Sequence, residues 1–256
     1  MESILQVKNT TIRFGGLTAV NNVTFEHKGG EILSLIGPNG AGKTTLFNLL
    51  TGIYFPDAGN IIFDGKDITQ MKSYDRVKVG ISRTFQNIRL FSNMTVLENL
   101  LIANPLCNNE KLGNSIIMGS VLRQNRRRVV DECEKILAAI GLLDIEDAMA
   151  TSLPYGKQRL VEIARALATE PKLILLDEPG AGMNAAEKDE LINVIRYITD
   201  KCKKDVLIIE HDMHFVMNIS DRIIVLDHGE LIAEGRPSEI QRNQLVLDAY
   251  LGKKES

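Results

Sequence analysis

The run GPNGAGKTT at residues 37–45 constrains this chain more than any other stretch. It fits G-x-x-x-x-G-K-[ST]. The apolar EILSLIG ahead of it and the helical KTTLFNLLTG behind it supply the strand–loop–helix setting that the pattern needs. Gly40 and Gly42 let the backbone turn its N–H groups inward around phosphate oxygens. The helix starting near Lys43 aims the positive end of its dipole at the anion. Lys43 brings a point charge to the β- and γ-phosphates of a nucleotide, and Thr44 a hydroxyl to Mg²⁺. At ordinary glycine usage the bare pattern arises by chance in about one chain in a hundred, and the setting lowers that further. The glycine order G-x-x-G-x-G is not the G-x-G-x-x-G of dinucleotide binders. Gly37, Pro38, Asn39, Gly40, Ala41, Gly42, Lys43, Thr44 and Thr45 are therefore the candidate nucleotide-binding residues.

Around this loop the pattern alternates. ILQVKNTTIRF and AVNNVTFEH are strand-like, and GNIIFDGKDIT reads as a further strand pair. From Thr95 to Leu143 helical spacing dominates, with Val129, Cys133, Ile136, Leu137 and Ile140 on one face. After Gln158 a helix carries Leu160, Ile163, Ala164 and Leu167 on one side. The apolar strands KLILLD and DVLIIE bracket a long helix from about Asn184 to Lys203, with the stripe Leu191, Val194, Ile195 and Ile198. Asn184 and Glu187 form a capping pair at its start. RIIVLDHGELIAEG predicts a hairpin turning at residues 227–229. Continuous apolar strands separated by amphipathic helices imply a parallel sheet covered on both faces. The result is an α/β core interrupted by a mostly helical insertion.

With 256 residues the chain can bury a large core, and its net charge of -3 creates no general field for nucleic acid, so no nucleic-acid partner is expected. The cluster Arg123, Arg126, Arg127 and Arg128 reads as a solvated helix face. Cys107, Cys133 and Cys202 lie far apart in no CxxC spacing, which fits a reducing compartment rather than a disulfide or zinc framework. The N-terminus has no signal-peptide pattern, and no run approaches the length of a membrane span. If the protein acts at a membrane, another chain must cross it.

LILLDEP is an apolar strand ending in two carboxylates. Asp177 is placed to help hold Mg²⁺, and Glu178 to orient the attacking water or accept its proton. His211 in IIEHDM and Gln86 in SRTFQNIRLF also leave strands, where such residues are by default structural or surface groups. Phe14 in TIRFGG can stack on adenine, although an aromatic there is by default core packing.

In this order the motifs resemble those of the ATP-binding cassette subunits of ABC transporters, along essentially the whole chain. The resemblance implies a P-loop (RecA-like) NTPase core with an antiparallel β subdomain and a helical insertion. Residues 1–86 would form the β subdomain and the first part of the core, 87–157 the helical signature subdomain, 158–236 the second part of the core, and 237–256 a short helical tail. It assigns Gln86 to the Q-loop, which senses Mg²⁺ and water, and His211 to a γ-phosphate contact. Gly182, Met183 and Asn184 would form the D-loop, and Phe14 would stack on adenine where tyrosine is more usual. It also implies a dimer in which one chain's signature closes on ATP held by the other chain's phosphate loop, which suits a signature lying at a helix start.

Residues 153–158 read LPYGKQ where the usual signature is Leu-Ser-Gly-Gly-Gln. A lost serine hydroxyl removes a donor to a charged phosphate worth about 1.5–3 kcal/mol. Gly156, Pro154 in a first helical turn, and the charge of Lys157 offer compensation. The signature Pro154, Tyr155, Gly156, Lys157 and Gln158 resembles the Leu-Ala-Tyr-Gly-Gln-Gln of branched-chain amino-acid importers. RFGGLTAVNNV, RTFQNIRLF, MTVLENLL, GAGMN and IEHDM are similar to the same branch. That branch implies ATP and Mg²⁺ as ligands, a second ATPase subunit, two transmembrane permease subunits and a solute-binding protein. It places the chain peripherally on the cytoplasmic face of the inner membrane. The alternatives are another transporter branch (urea or amide import, or lipopolysaccharide export) and, more distantly, a soluble ATPase of DNA repair or translation.

Overall fold

The computed structural model describes residues 3–105 and 119–251, except for the side chains of 119–126 and 251. Cys107 and the side chains of Arg123 and Arg126 lie outside the described residues. Arg127 and Arg128 are exposed, and Arg128 pairs with Glu132 at 3.0 Å, as on a solvated helix face.

Apolar and polar residues alternate along β1 (Ser3–Phe14) and β2 (Leu17–Lys28), so each strand has one face for a core and one for water. They pair antiparallel and continue through β4 (Ala58–Phe63) and β5 (Lys66–Asp67) in the order β2-β1-β4-β5. The second sheet obeys a different rule. β3 (Ile32–Ile36), β7 (Leu173–Asp177) and β8 (Asp205–Ile209) are buried at every position, as a parallel sheet covered on both sides requires. With β6 (Ile81–Arg83), β9 (Arg222–Asp227) and β10 (Glu230–Gly235) they form the order β10-β9-β3-β8-β7-β6. The hairpin of β9 and β10 turns on His228 and Gly229, whose φ of 46° and 81° suit a two-residue connection.

The helices are α1 (Lys43–Leu50), α2 (Ser73–Val79), α3 (Val96–Leu101), α4 (Gly119–Ala139), α5 (Tyr155–Ala168), α6 (Ala185–Asp200), α7 (Met213–Ile219), α8 (Pro237–Ile240) and α9 (Gln244–Leu251). One face of the parallel sheet, through Leu33, Leu35, Leu175 and Leu207, packs on α1 and the antiparallel sheet. The other, through Ile174, Leu176, Val206 and Ile208, packs on α5 and α6. The predicted helical insertion is present, with Val129, Cys133, Leu137 and Ile140 buried against α3 and α5 and Ile136 partly buried.

Two boundaries differ from expectation. α5 starts at Tyr155, ahead of Gln158, and Pro154 is its N-cap with an extended ψ of 151°, not a first-turn residue. The first helical bond therefore runs from the Gln158 N–H to the Pro154 carbonyl at 3.0 Å. α6 ends at Asp200, short of Lys203, which adopts φ 55° as the chain turns into β8.

Candidate nucleotide-binding site

Parallel alignment brings the carboxyl ends of β3, β6, β7 and β8 to one rim, where α/β sheets bind ligands. The phosphate loop, Gln86, the pair Asp177 and Glu178, and His211 each lie at one of these ends. The loop 37–45 leaves β3 and enters α1 through Gly42, which caps the helix at φ 99°. A Cβ there would lie 2.4 Å from the Ala19 carbonyl, so only glycine fits. Gly229, in the turn between β9 and β10, ties the loop to β2: its N–H donates to the Ala41 carbonyl at 3.0 Å, and its carbonyl accepts from Asn21 N–H at 2.8 Å. Thr44 is exposed and Thr45 half-buried in the first turn of α1. Lys43 is buried, and its ammonium donates to the carbonyls of Gly37 at 2.7 Å and Pro38 at 2.9 Å. Burial holds this ammonium below its ordinary pKa, opposed by the nearby carboxylates of Glu178 and Asp177. A cavity of about 470 Å³ opens here, lined by residues 39–45 of the loop with Leu17, Ala19, Glu178 and His228.

Asp177 ends β7, and Arg83 donates to its Oδ2 at 2.6 Å in a buried pair. Arg83 also donates to Asn48 Oδ1 on α1 at 2.7 Å, joining three elements behind the loop. Glu178 adopts φ 48°, an uncommon conformation for a non-glycine residue, while its N–H donates to the Ile209 carbonyl at 2.9 Å. Gln86 Nε2 donates to Glu178 Oε2 at 2.8 Å, and His211 Nδ1 stands 3.8 Å from the same oxygen. Three residues that the sequence places far apart therefore meet on one carboxylate. With the Thr44 hydroxyl, the Oδ1 of Asp177 and the amide oxygen of Gln86 offer hard oxygen donors of the kind Mg²⁺ prefers, so the residues fit that ion.

Phe14 is not core: it is 44% exposed and meets Tyr54 edge-on, with ring centroids 5.2 Å apart. The signature residues do not line the phosphate-loop cavity. Tyr155 packs beside Gly182 of the predicted D-loop, and Gly156 lies against Glu187 in the first turn of α6. Met183 is buried, and Asn184 caps α6 through reciprocal bonds with Glu187 at 2.9 and 3.0 Å. Gln158 Nε2 donates to the Leu153 carbonyl at 2.8 Å. The Lys157 ammonium donates to Glu190 on α6 at 2.6 Å in a partly exposed pair.

Sequence reasoning missed Arg83, Arg159, Glu162 and Glu210. Glu210 is buried and accepts N–H bonds from Gly180 at 2.8 Å and His211 at 3.1 Å, bracing the segments that carry Glu178 and His211. Arg159 and Glu162 are buried on α5 and paired at 2.9 Å. Burial pushes the Glu162 carboxyl up, against the pull of Arg159 and then Arg165. The signal available was opposite charges three residues apart on a helix otherwise rich in Ala, Leu and Ile.

A family model described as ABC transporter matches residues 20–181, and one described as Branched-chain amino acid ATP-binding cassette transporter matches residues 230–256. The chain is 43% identical over 252 residues to the high-affinity branched-chain amino acid transport ATP-binding protein LivG of Salmonella typhimurium, covering 98% of this chain and 99% of that one. It is 42% identical to BraF of Pseudomonas aeruginosa, of the same description, with 98% of each chain covered. Among solved structures, an ATP-binding cassette of an ABC transporter in its ADP conformation superposes with a TM-score of 0.85 at 33% identity, covering 99% of this chain and 100% of that one. A nucleotide-free cassette gives 0.84 at 35% identity, covering 98% and 100%. Family match, chain-long similarity and the loop at the sheet rim agree: the chain belongs to the ATP-binding cassettes of the ABC transporter family.

Proposed function

We propose that this chain is the ATP-hydrolysing subunit of an importer for branched-chain amino acids. The meeting of Gln86 and His211 on Glu178, at the rim that carries the phosphate loop, is the observation that carries the chemistry. ATP binds with its phosphates in the loop 37–45, where Lys43 exchanges the Gly37 and Pro38 carbonyls for phosphate oxygens. Phe14 offers its exposed ring to adenine. Thr44, Asp177 and Gln86 would hold Mg²⁺, which would supply neutralisation of charge on the phosphate oxygens. Glu178 orients the attacking water or takes its proton, Gln86 fixes that carboxylate, and His211 reaches the γ-phosphate. Residues 154–158, where the segment 87–157 meets the second part of the core, and the D-loop Gly182, Met183 and Asn184 complete a second ATPase subunit's site. ATP thus bridges the two subunits, and hydrolysis removes the bridge. Two permease subunits feel that cycle at the cytoplasmic face of the membrane, and a solute-binding protein delivers the amino acid. The chain-long similarity to LivG and BraF and the match at residues 230–256 support this branch.

Glu178→Gln tests the chemistry. Turnover should fall by about 10²–10⁴-fold, as for loss of a general base, while an ATP-bound dimer accumulates in sedimentation, alone or with a partner ATPase. Monomers under both conditions together with undiminished turnover would overturn it. Co-purification from native membranes tests the branch. Two multi-span permeases are expected, and recovery only with ribosomes or DNA would sink the transport reading.

A further inference from the structure

We propose that Arg159 is a positioning residue for ATP hydrolysis, one that fixes the backbone of Gln86 from α5 and, through Gln86, the carboxylate of Glu178. The proposal rests on the reading of Glu178 as the water-orienting group and adds a residue that this reading does not contain. Residues 84–90, between β6 and α3, have no regular secondary structure, so their backbone groups need partners from elsewhere. α5 supplies them. Arg159 donates from Nη1 to the Phe85 carbonyl at 2.7 Å and from Nη2 to the Gln86 carbonyl at 2.6 Å. One turn on, Glu162 accepts the Arg89 N–H at 3.3 Å, and Arg165 donates to the Arg89 carbonyl. Residues 159, 162 and 165 thus hold both ends of the segment that presents Gln86.

A fastening needed only for stability would not be built this way. Leu160, Ile163, Ala164 and Leu167 already bury α5 in the core. The Arg159 guanidinium is fully buried, and its Nε has no partner. Buried ion pairs are often replaced by apolar side chains of similar volume with no loss of stability. What an apolar side chain cannot do is grip two successive carbonyls at fixed spacing, which the planar fork of arginine does. The Gln86 side chain, so anchored, donates to Glu178 at 2.8 Å. The same guanidinium also reaches the Tyr155 hydroxyl at 3.3 Å, so the clamp lies directly beneath the signature.

The test compares full-length wild type, Arg159→Lys, Arg159→Met and Glu178→Gln in three measurements. These are steady-state ATP hydrolysis, affinity for a fluorescent ATP analogue, and hydrogen exchange read by mass spectrometry. A misplaced catalytic constellation loses about a hundred-fold in rate, and that loss in kcat is expected for Arg159→Met. Its KM and analogue affinity should stay within about two-fold, since the effect is not on ground-state binding. Arg159→Lys, with a single point donor, should recover part of kcat. Exchange over residues 84–91 should quicken in both Arg159 variants and stay at the wild-type rate in Glu178→Gln. β7 and α6 should be unchanged in Arg159→Lys, and in Arg159→Met should quicken less than residues 84–91, since that variant leaves Glu162 buried with Arg165 alone. Wild-type kcat in both Arg159 variants would overturn the proposal. So would a joint loss of kcat and affinity with faster exchange throughout the core, the mark of a merely structural role. If Arg159→Met does not fold, Arg159→Lys decides by the same readouts. Undiminished turnover in Glu178→Gln would instead sink the reading of Glu178 and leave the exchange result to judge the clamp.

Discussion

Asp177 and Arg83 are 94 residues apart, and no local pattern links them, yet they form the closest charged contact behind the phosphate loop. Removing one partner of such a pair leaves a carboxylate buried without compensation, so Arg83→Met should cost about 3–5 kcal/mol in denaturant unfolding. Mg²⁺ with nucleotide should return more of that stability to the variant than to the wild type, because a cation takes over the orphaned charge. Lys157 lies at the opposite extreme. Its pair with Glu190 is 35% and 42% exposed, so Lys157→Ala should cost less than about 1 kcal/mol in the same assay. The acids of the site were legible from type and position at the end of an apolar strand, whereas Gln86 and His211 read by default as surface and structural groups and took their roles from the family resemblance. The direction of the Lys157 side chain was not legible, since its partner lies on another helix. Nor was the exposure of Phe14, which depends on how Tyr54 meets it.

Periodicity reports which side of an element meets apolar partners, and where that alone decides burial the sequence is easily read. The stripe of α4, the fully buried and mostly apolar β3, β7 and β8, and the capping pair of α6 are such cases. α5 is different. Its apolar side was visible, but the far side is covered by the backbone of residues 84–90, which asks for charge rather than carbon, so Arg159 and Glu162 are buried where periodicity predicts exposure. The start of α5 was misjudged because Pro154 occupies the cap, whose extended ψ no helical period foretells. At the start of α6, Asn184→Ala removes one half of a capping box and should cost about 1 kcal/mol, read as a lowered denaturant midpoint with unchanged slope.

For the molecule as a whole, the joint between β2 and the parallel sheet sets a pH response. His27 is fully buried there, its Nε2 3.1 Å from the Glu31 carbonyl, with Asp205, the Glu31 carboxylate and Arg222 around it. Burial lowers its pKa below the ordinary 6.5, so folded His27 binds its proton more weakly than the unfolded chain does. The unfolded state then takes up more protons just below pH 6.5, and stability is full above that value and falls as the pH drops through it. Asp205 acts with the opposite sign in a lower window. Burial raises its carboxyl, so its contribution is lost as the pH rises from 3.8. Unfolding measured across mildly acidic pH should show the upper slope, and His27→Gln should remove it.

The placing of β3 also bears on how the chain is made. Its two sheet neighbours are β8 and β9, so Ile32 pairs with Val206 and Leu33 with Arg222. The loop that follows β3 is clipped by Gly229. On the ribosome, the most apolar strand of the chain therefore emerges long before either edge has anything to pair with, and this is when a nascent protein is most open to aggregation or to capture by a chaperone. The clip between Gly229 and the phosphate loop can close only after residue 229 has left the exit tunnel, so the loop reaches its final form late in translation.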